Sequence, residues 1–263
     1  RDGSVHLGLR VTALSSLRFF PGPASKAVFE AALLAPETAP VARHAAVRAG
    51  VPTVVFSLEM SKTELVQRLM CAECTVDMQR LRTGRMEESD WTRLTRSLGK
   101  LADAPLFIDD SPGTTMMEIR AKCRRLKQRH GLGLVVVDYL QLMQPSKRFE
   151  NRQQEVSEIS RSLKLLAKEL DVPVMAISQL SRQTEARSDR RPMLSDLRES
   201  GALEQDSDVV LFIYRDELYD PESPRKGEAD LILAKHRNGP TDTVTVTFQG
   251  QYSRFAPMAA RSL

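Results

Sequence analysis

Three polar side chains follow apolar runs in the sequence, and each is of a type that can act on phosphate groups. Glu59 follows VVFSL, Asp138 ends LVVVD, and Gln179 lies near the end of VPVMAISQL. A carboxylate can hold Mg²⁺ beside nucleotide phosphates or take a proton from an attacking water, and an amide can contact a γ-phosphate. Asp138 fits the first role, Glu59 the second and Gln179 the third. Taken singly, each also fits a helix cap, a solvated acid or an ordinary strand end.

A further strand-like run, EADLILAKHR, carries Lys235 and Arg237 two positions apart. On a strand, these two side chains point to the same face. Two like charges side by side need either an anion or solvent. The pair is therefore a candidate phosphate contact, with a solvated strand face as the alternative.

The loop that would hold the phosphates does not have its usual sequence. A G-x-x-x-x-G-K-[ST] loop uses glycines to expose backbone N–H groups, a lysine to contact the phosphates and a hydroxyl to contact magnesium. The nearest approach is residues 22–27, where Lys26 is the candidate phosphate-binding lysine. Pro23 removes an N–H donor, Ser25 replaces the second glycine, and Ala27 has no hydroxyl. We therefore expect Lys26 to be a poor substitute for a complete loop.

The elements that must position these residues alternate between two kinds. From residue 50 onward, apolar strand-like runs alternate with amphipathic stretches, and Ser61 and Thr115 each begin a capping-box signal for a helix. This alternation predicts an α/β fold with a mainly parallel sheet flanked by helices, followed by an antiparallel strand pair from EADLILAKHR and TVTVTF. Ligands bind where the strands of such sheets end. We therefore expect the polar residues described above to lie along one crevice.

Two segments lack a clear period. Residues 1–40 are rich in Ala and Pro, and we expect them to form an irregular segment. We expect residues 41–263 to form one α/β core. Residues 181–206 are polar and basic, which predicts a long loop with about one helical turn. Loops of this length in compact domains are usually functional or disordered.

Composition restricts the class of protein. The chain has 263 residues, a formal net charge of +4 and a sequence pI near 9.1, which are compatible with nucleic-acid binding. Three cysteines argue against a disulfide scaffold and for a reducing compartment. No signal peptide and no apolar run long enough to span a membrane is recognisable in the sequence, so we expect a cytoplasmic protein. Because the sequence begins with Arg1, we expect it to be a fragment.

Five segments occur in a fixed order and together are far more specific than any single residue. They are FSLEMS, LVVVDYLQLM, EISRSLKLLAKELDVPVMAISQLSR, DLRESGALEQDSDVVLFIYR and LAKHRNGPT. From about residue 42 to residue 259, the chain resembles the DnaB-type replicative DNA helicases, most closely their actinobacterial members. The resemblance implies the C-terminal RecA-like P-loop NTPase core of a hexameric ring. It also implies ATP and Mg²⁺ as cofactors, and translocation on single-stranded DNA that unwinds the duplex at the replication fork.

The same resemblance implies roles for the candidate residues. Glu59 matches the catalytic glutamate, Asp138 the magnesium-associated aspartate and Gln179 the phosphate-sensing glutamine. Lys235 and Arg237 match a pair that each subunit donates to the γ-phosphate bound by its neighbour. Such a pair would neutralise charge in the transition state only in a correctly assembled ring.

DNA contacts are implied for a second group of residues. Arg198, Glu199 and Gly201 of DLRESG match a loop that faces the central channel and contacts the DNA backbone. Contacts to phosphates suit a motor that must pass every sequence. The long loop upstream adds positive charge, with a solvated basic loop as the alternative; its arginines are Arg182, Arg187, Arg190 and Arg191.

The resemblance also implies primase and a helicase loader as partners, in a bacterial replisome or nucleoid. However, the amino-terminal collar domain that meets primase in the family is absent from this sequence. Three hypotheses account for the missing phosphate loop. Residues 1–40 could be a frameshifted or misassembled reading of the true loop, or the chain could be a degenerate ATPase that only binds DNA or ring partners. It could also be a more distant RecA-like ATPase of recombination or clock type.

Overall fold

Nine strands form one mixed sheet in the part of the chain that the computed structural model describes, namely residues 10–15, 38–145, 149–181, 184 and 186–258. For residues 10–15 and 198–200, the description covers the backbone only. The strands are β1 Arg10–Ser15, β2 Thr53–Ser57, β3 Leu106–Asp109, β4 Leu134–Asp138, β5 Val174–Gln179, β6 Val209–Tyr214, β7 Glu228–His236, β8 Asp242–Gln249 and β9 Arg254–Pro257.

The strand order across the sheet is β3-β2-β4-β5-β1-β6-β7-β8-β9. The first four of these strands are parallel to one another, and every other neighbouring pair is antiparallel. The parallel half confirms the predicted α/β class. The antiparallel pairing of β7 with β8 confirms the strand pair predicted near the carboxyl terminus.

Strand β1 was not predicted, because residues 1–40 were expected to be irregular. The structure places it between β5 and β6, antiparallel to both, with Arg10 opposite Gln179 and Ser15 opposite Val174. Only Val11 and Thr12 of its six residues are β-branched and none is aromatic, which is a weak local signal for a strand. Its strand conformation therefore depends on the two neighbouring strands, which it joins into one sheet.

Helices cover the faces of the parallel half. They are α1 Thr38–Ala42 with a π-helical continuation Arg43–Arg48, α2 Lys62–Cys74, α3 Met78–Thr83, α4 Glu88–Ala102, α5 Met116–His130, α6 Arg152–Leu170 and α7 Gly201–Asp206. Both predicted capping boxes are present, at the starts of α2 and α5. The expectation of a long loop at residues 181–206 is wrong in its last part, because a 3₁₀-helix at Leu194–Ser200 leads directly into α7.

The core has two layers, one on each face of the sheet. Along β4, Leu134 and Val136 join a cluster with side chains from α1 and α2, whereas Val135 and Val137 join a cluster with α5 and α6. This alternation is expected for a strand buried on both faces. The strand ends are thereby held between two packed layers. None of the helices described is long and apolar enough to cross a membrane.

Candidate functional site

Three of the predicted residues lie where neighbouring parallel strands end. Ser57 is the register partner of Asp138, so β2 and β4 end side by side, and Glu59 follows two residues later. Strand β5 lies on the other side of β4 and ends at Gln179. The structure therefore brings Glu59, Asp138 and Gln179 to the same end of three adjacent strands, as expected. We call this region the carboxyl side of the sheet.

Asp138 is buried at this carboxyl side and is held by a residue that sequence reasoning missed. The Thr38 hydroxyl donates a hydrogen bond to Asp138 Oδ2 at 2.5 Å, and both residues are less than 5% exposed. Thr38 is the first residue of α1 and precedes the segment recognised from sequence. Its only sequence signal is a hydroxyl at a helix start. A hydroxyl and a carboxylate are oxygen donors of the kind that Mg²⁺ takes, so these two residues fit a magnesium ion.

Glu59 is exposed, in contrast to the buried strand that precedes it. The backbone N–H of Leu58 donates to the carbonyl oxygen of Asp138 at 2.7 Å. This bond ties the segment that carries Glu59 to the end of β4. An exposed carboxylate next to a buried one suits a group that exchanges a proton with solvent-borne water, which is what a general base must do.

Gln179 is exposed, and a second glutamine holds its backbone. The side chain of Gln141 donates to Ser178 Oγ at 2.8 Å and accepts from the backbone N–H of Gln179 at 3.3 Å. Arg152 in turn donates to the Gln141 carbonyl oxygen. Gln141 was not predicted, because its partners are almost forty positions away. Its place three residues after Asp138 was the only local signal.

Lys235 and Arg237 do not lie at the carboxyl side, which corrects the expectation of a single crevice. The register aligns His236 with Val209, and strand β1 aligns Val209 with Met175 near the start of β5. Lys235 and Arg237 flank His236, so they lie toward the end of the sheet where β5 begins. Two strands also separate β7 from β5. Within one subunit, this pair is therefore on the far side of the sheet from Gln179.

Both cations bind the carbonyl groups around the end of α7. Lys235 Nζ donates to the carbonyl oxygens of Glu204 and Ser207, the latter at 2.8 Å. Arg237 donates to the Gln205 carbonyl oxygen at 3.1 Å. Cations are favourable at the carboxyl end of a helix, where carbonyl groups lack partners in the helix. Burial, and then the neighbouring Arg237 charge, lowers the pKa of Lys235 from its usual 10.5.

Asp208 links this pair to the core. Its carboxylate accepts from Arg237 at 2.8 Å and from Lys164 of α6 at 2.7 Å. Ser160, one turn earlier on α6, donates to Asp206 at 2.7 Å. These contacts join α6, α7 and the end of β7. Since α7 begins at Gly201, they also connect the Lys235–Arg237 region to the end of the candidate DNA loop.

The basic residues predicted to contact DNA fall into two groups. Arg182 lies outside the described residues, as do the side chains of Arg198 and Glu199. The backbone of the latter two belongs to the 3₁₀-helix before α7. Gly201 is the first residue of α7. The DNA-contacting role of this segment stays a prediction.

The other three arginines pack against the protein. Arg187 forms an ion pair with Asp196 at 2.8 Å, and Arg191 forms one with the buried Asp230 at 2.7 Å. Arg190 lies over the ring of Tyr219, with 5.2 Å between the guanidinium carbon and the ring centroid. The contacts of Arg190 and Arg191 fix the loop against the antiparallel half of the sheet, whereas the Arg187–Asp196 pair lies within the loop itself. The charges of Arg187 and Arg191 are therefore partly balanced within the chain.

The remaining residues are the candidate Lys26 and two of the three cysteines. Lys26 and the rest of residues 22–27 lie outside the described residues. Cys71 and Cys74 are buried free thiols on α2, and burial raises the pKa of Cys71 to about 11. A buried, protonated thiol suits neither metal binding nor redox chemistry.

The sequence of this chain matches a known protein family and is similar to several known proteins. The family described as "DnaB-like helicase C terminal domain" matches residues 37–257. The replicative DNA helicase DnaB of Leifsonia xyli subsp. xyli (strain CTCB07) is 61% identical over 218 residues, which are 83% of this chain and 48% of that protein. The replicative DNA helicase DnaB of Mycobacterium leprae (strain TN) is 61% identical over 217 residues, which are 82% of this chain and 36% of that protein. This chain thus spans about half the length of these relatives or less.

Solved structures give the same result for the fold. The structure described as "ATPase Domain of G40P" has a TM-score of 0.81 and 39% identity, and the match covers 91% of this chain and 82% of that chain. A structure of a DnaB-like replicative helicase and its interactions with primase has a TM-score of 0.80 and 41% identity, covering 84% and 54%. The RecA-like class predicted from sequence is confirmed.

Proposed function

Because this chain belongs to the DnaB-like replicative helicase family, we propose that it is the ATPase core of a motor that moves along single-stranded DNA and unwinds duplex DNA at the replication fork. The observation that carries the proposal is the meeting of Glu59, Asp138 and Gln179 at one end of three adjacent strands. This is where open α/β sheets bind their ligands. Family membership also excludes the hypothesis of a distant ATPase of recombination or clock type.

The residues of the carboxyl side divide the chemistry of ATP hydrolysis among them. Asp138 and Thr38 would hold Mg²⁺, which supplies charge neutralisation at the phosphates when it is bound with ATP. Glu59 orients the attacking water and accepts its proton. Gln179 presents its amide to the γ-phosphate, and Gln141 keeps the end of β5 in position for that contact.

Lys235 and Arg237 act on the neighbouring subunit in this proposal. They lie away from the carboxyl side of their own sheet, so they have no role at their own Glu59. A repeated head-to-tail contact would bring each pair to the next subunit's phosphate. This arrangement supports a ring, and we propose the hexamer that the family resemblance implies. Hydrolysis then depends on assembly, because the cations that neutralise the transition state come from outside the subunit.

DNA binding in this proposal uses the segment that leads into α7. Arg198, Glu199 and Gly201 contact the backbone of single-stranded DNA in the channel, and Arg190 adds positive charge nearby. The net charge of +4 supports a phosphate-contacting surface. Primase and a helicase loader are the proposed partners, in the bacterial cytoplasm at the replisome. The similar structure described as a DnaB-like replicative helicase and its interactions with primase supports primase as a partner.

A second candidate function follows from the missing phosphate loop. Residues 22–27 lack the second glycine and the hydroxyl that a complete loop requires. The backbone N–H groups of such a loop make most of its phosphate contacts, so Lys26 alone cannot replace it. The alternative is therefore a degenerate core that binds DNA or ring partners without hydrolysis. The other explanation for the incomplete phosphate loop is a reading error upstream of Ala42.

One experiment separates these functions. The purified chain is titrated with MgATP by isothermal calorimetry, and phosphate release is measured with and without oligo-dT. We expect weak ATP binding and no DNA-stimulated hydrolysis from the sequence as written. Translation of the coding DNA upstream of Ala42 in the other two frames should then reveal a G-x-x-x-x-G-K-[ST] loop. If no frame contains one, the degenerate core is correct, and micromolar ATP binding by the chain would contradict both explanations.

A further inference from the structure

A groove runs along the lateral edge of the sheet, far along the strand order from the Lys235–Arg237 region. It lies between β3 and α5 and has a volume of about 300 Å³. We call it the β3 groove. Its apolar lining residues are Val54, Phe56, Phe107, Ile108 and Leu126, and its polar or charged lining residues are Asp109, Lys122, Arg125, Arg129 and His130.

The floor of the β3 groove is apolar. Val54 and Phe56 are buried in the sheet, and Phe107 and Leu126 are partly buried beside them. The Phe107 ring lies 4.8 Å from the His130 ring, centroid to centroid. Because Phe107 and Leu126 are only partly buried, they leave apolar surface beside the His130 ring on which an apolar side chain from a binding partner can rest.

The wall on the α5 side is basic. Lys122, Arg125, Leu126 and Arg129 follow the i, i+3, i+4, i+7 spacing, which places them on one face of the helix. Lys122 pairs with Asp109 of β3, so that charge is balanced. Arg125 and Arg129 are exposed, and neither forms an ion pair with another described residue.

Arginines elsewhere on the same helix have acidic partners. Arg120 and Arg124 both pair with Glu169 of α6. The favourable effect of cations in a last helical turn accounts for Arg129, but Arg125 lies before that turn. The groove-facing side of α5 therefore presents two positive charges that no described acidic side chain balances.

The other wall is an open strand edge. Strand β3 is the last strand of the order and pairs with β2 alone among the described strands. Its outer backbone N–H and C=O groups can thus bond to an added strand, which is a common mode of peptide recognition. The four residues of β3 span roughly 13 Å, enough to align about four to six residues of an extended peptide.

We propose that the β3 groove binds an extended acidic segment of a partner protein, which adds to β3 as a strand, rests an apolar side chain on Phe107 and pairs carboxylates with Arg125 and Arg129. An open strand edge matches a peptide backbone, whereas a nucleic acid has no equivalent donors and acceptors at strand spacing. This site is independent of ATP and of the proposed helicase activity.

The test uses the full chain and a fluorescein-labelled peptide of seven residues that alternates Glu or Asp with Val or Phe. Fluorescence anisotropy should show saturable binding. The double variant Arg125→Glu/Arg129→Glu should weaken it at least about tenfold, the effect of losing two charge-assisted contacts. The matched control is Arg96→Glu/Lys100→Glu, which reverses two exposed cations on α4 that form no ion pair within the described residues, and it should bind the peptide as the unchanged chain does. Thermal unfolding of each variant verifies that it is folded.

A second peptide tests strand addition itself. N-methylation of alternate backbone nitrogens removes the N–H donors of one edge, so a peptide methylated on the β3-facing edge should lose binding, whereas one methylated on the opposite edge should retain it. Equal binding by both peptides would overturn the proposal. So would binding that survives the Arg125→Glu/Arg129→Glu change. If the unchanged chain does not bind the peptide and the double variant loses binding to oligo-dT, the groove is a DNA site and the proposal is wrong. Loss of self-association, measured by sedimentation, would assign it to a second copy of the chain.

Discussion

The hydroxyl of Thr38 donates a hydrogen bond to the carboxylate of Asp138 at 2.5 Å, across 100 positions of sequence. Both residues are buried, so the bond satisfies one oxygen, Oδ2, of a carboxylate that is almost completely removed from water. It also fastens the start of α1 to the end of β4. The residue proposed to hold magnesium is thus positioned by a hydroxyl from α1, the first described helix that follows residues 22–27 in sequence.

This relationship gives a prediction for stability. Thr38→Val removes the donor but keeps the shape of the side chain, so it should lower the free energy of unfolding by about 1–3 kcal/mol. Urea denaturation followed by circular dichroism measures the change. Thr38→Ser keeps the hydroxyl and serves as the control, with a smaller loss from the missing methyl group. Equal stability of the valine variant and the unchanged chain would mean that the bond contributes nothing.

Among the arginines of residues 181–206, Arg190 should affect DNA binding, whereas Arg191 should affect stability. Arg190→Ala should leave the free energy of unfolding within about 0.5 kcal/mol of the original value. It should also weaken binding to oligo-dT and reduce the slope of log affinity against log salt by up to about 1, because one phosphate contact is lost. Anisotropy titrations at several salt concentrations measure both quantities. An unchanged salt slope would remove Arg190 from the DNA surface.

Arg191→Ala should have the opposite effect. Arg191 pairs with Asp230, which is 2% exposed and keeps bonds from Arg225 and Thr245 after the change. Loss of one of several partners should lower the free energy of unfolding by about 1 kcal/mol. The midpoint of urea unfolding reports this change. A fully stable Arg191→Ala variant with weak DNA binding would show that this arginine serves DNA after all.

The proposed action of Arg237 on a neighbour is testable in a version of the chain with a complete phosphate loop. Arg237→Ala should spare ATP binding and abolish hydrolysis, because only the transition state gains from the added charge. Mixing it with a Glu59→Gln variant, which keeps Arg237, should restore part of the activity. Absence of any restored hydrolysis across a range of mixing ratios would favour a role within one subunit.

The buried thiols give a prediction for pH. Burial raises the pKa of Cys123 from its usual 9.0 to about 12. The folded chain therefore keeps this proton where the unfolded chain loses it. Stability from this group is fully present below about pH 9 and is lost as the pH rises toward 12. Cys123→Ala should flatten that decline in urea unfolding measured from pH 8 to pH 11. In the folded chain at pH 8, iodoacetamide should react with Cys123 far more slowly than in urea.

Local sequence patterns predicted the features that depend on residues close together in the sequence. Glu59, Asp138 and Gln179 were predictable because parallel strands end together and each residue closes an apolar run. Thr38 and Gln141 were not, because their roles depend on partners that are distant in sequence. Strand β1 was missed for the same reason: its neighbours, and not its own residues, make it a strand.

Charges were the least predictable part of the candidate site. A count of arginines suggested a DNA surface at residues 181–206, yet sequence could not reveal that Arg187 and Arg191 have acidic partners in the chain. Lys235 and Arg237 both contact carbonyl groups around the end of α7, although Arg237 lies one residue beyond β7, and their distance from the carboxyl side required the register of β1, β6 and β7. Pairwise contacts between distant segments decide both cases.

The separation of Glu59 from Arg237 across the sheet gives each subunit a direction. Under the proposed function, the carboxyl side of the sheet receives cations from a neighbouring subunit, and the opposite side supplies them. Two subunits related by a two-fold axis could therefore not complete each other's sites. An open row would always leave one terminal site without cations and one terminal pair without a phosphate. Only a closed cycle, in which the last subunit supplies the first, leaves no member incomplete.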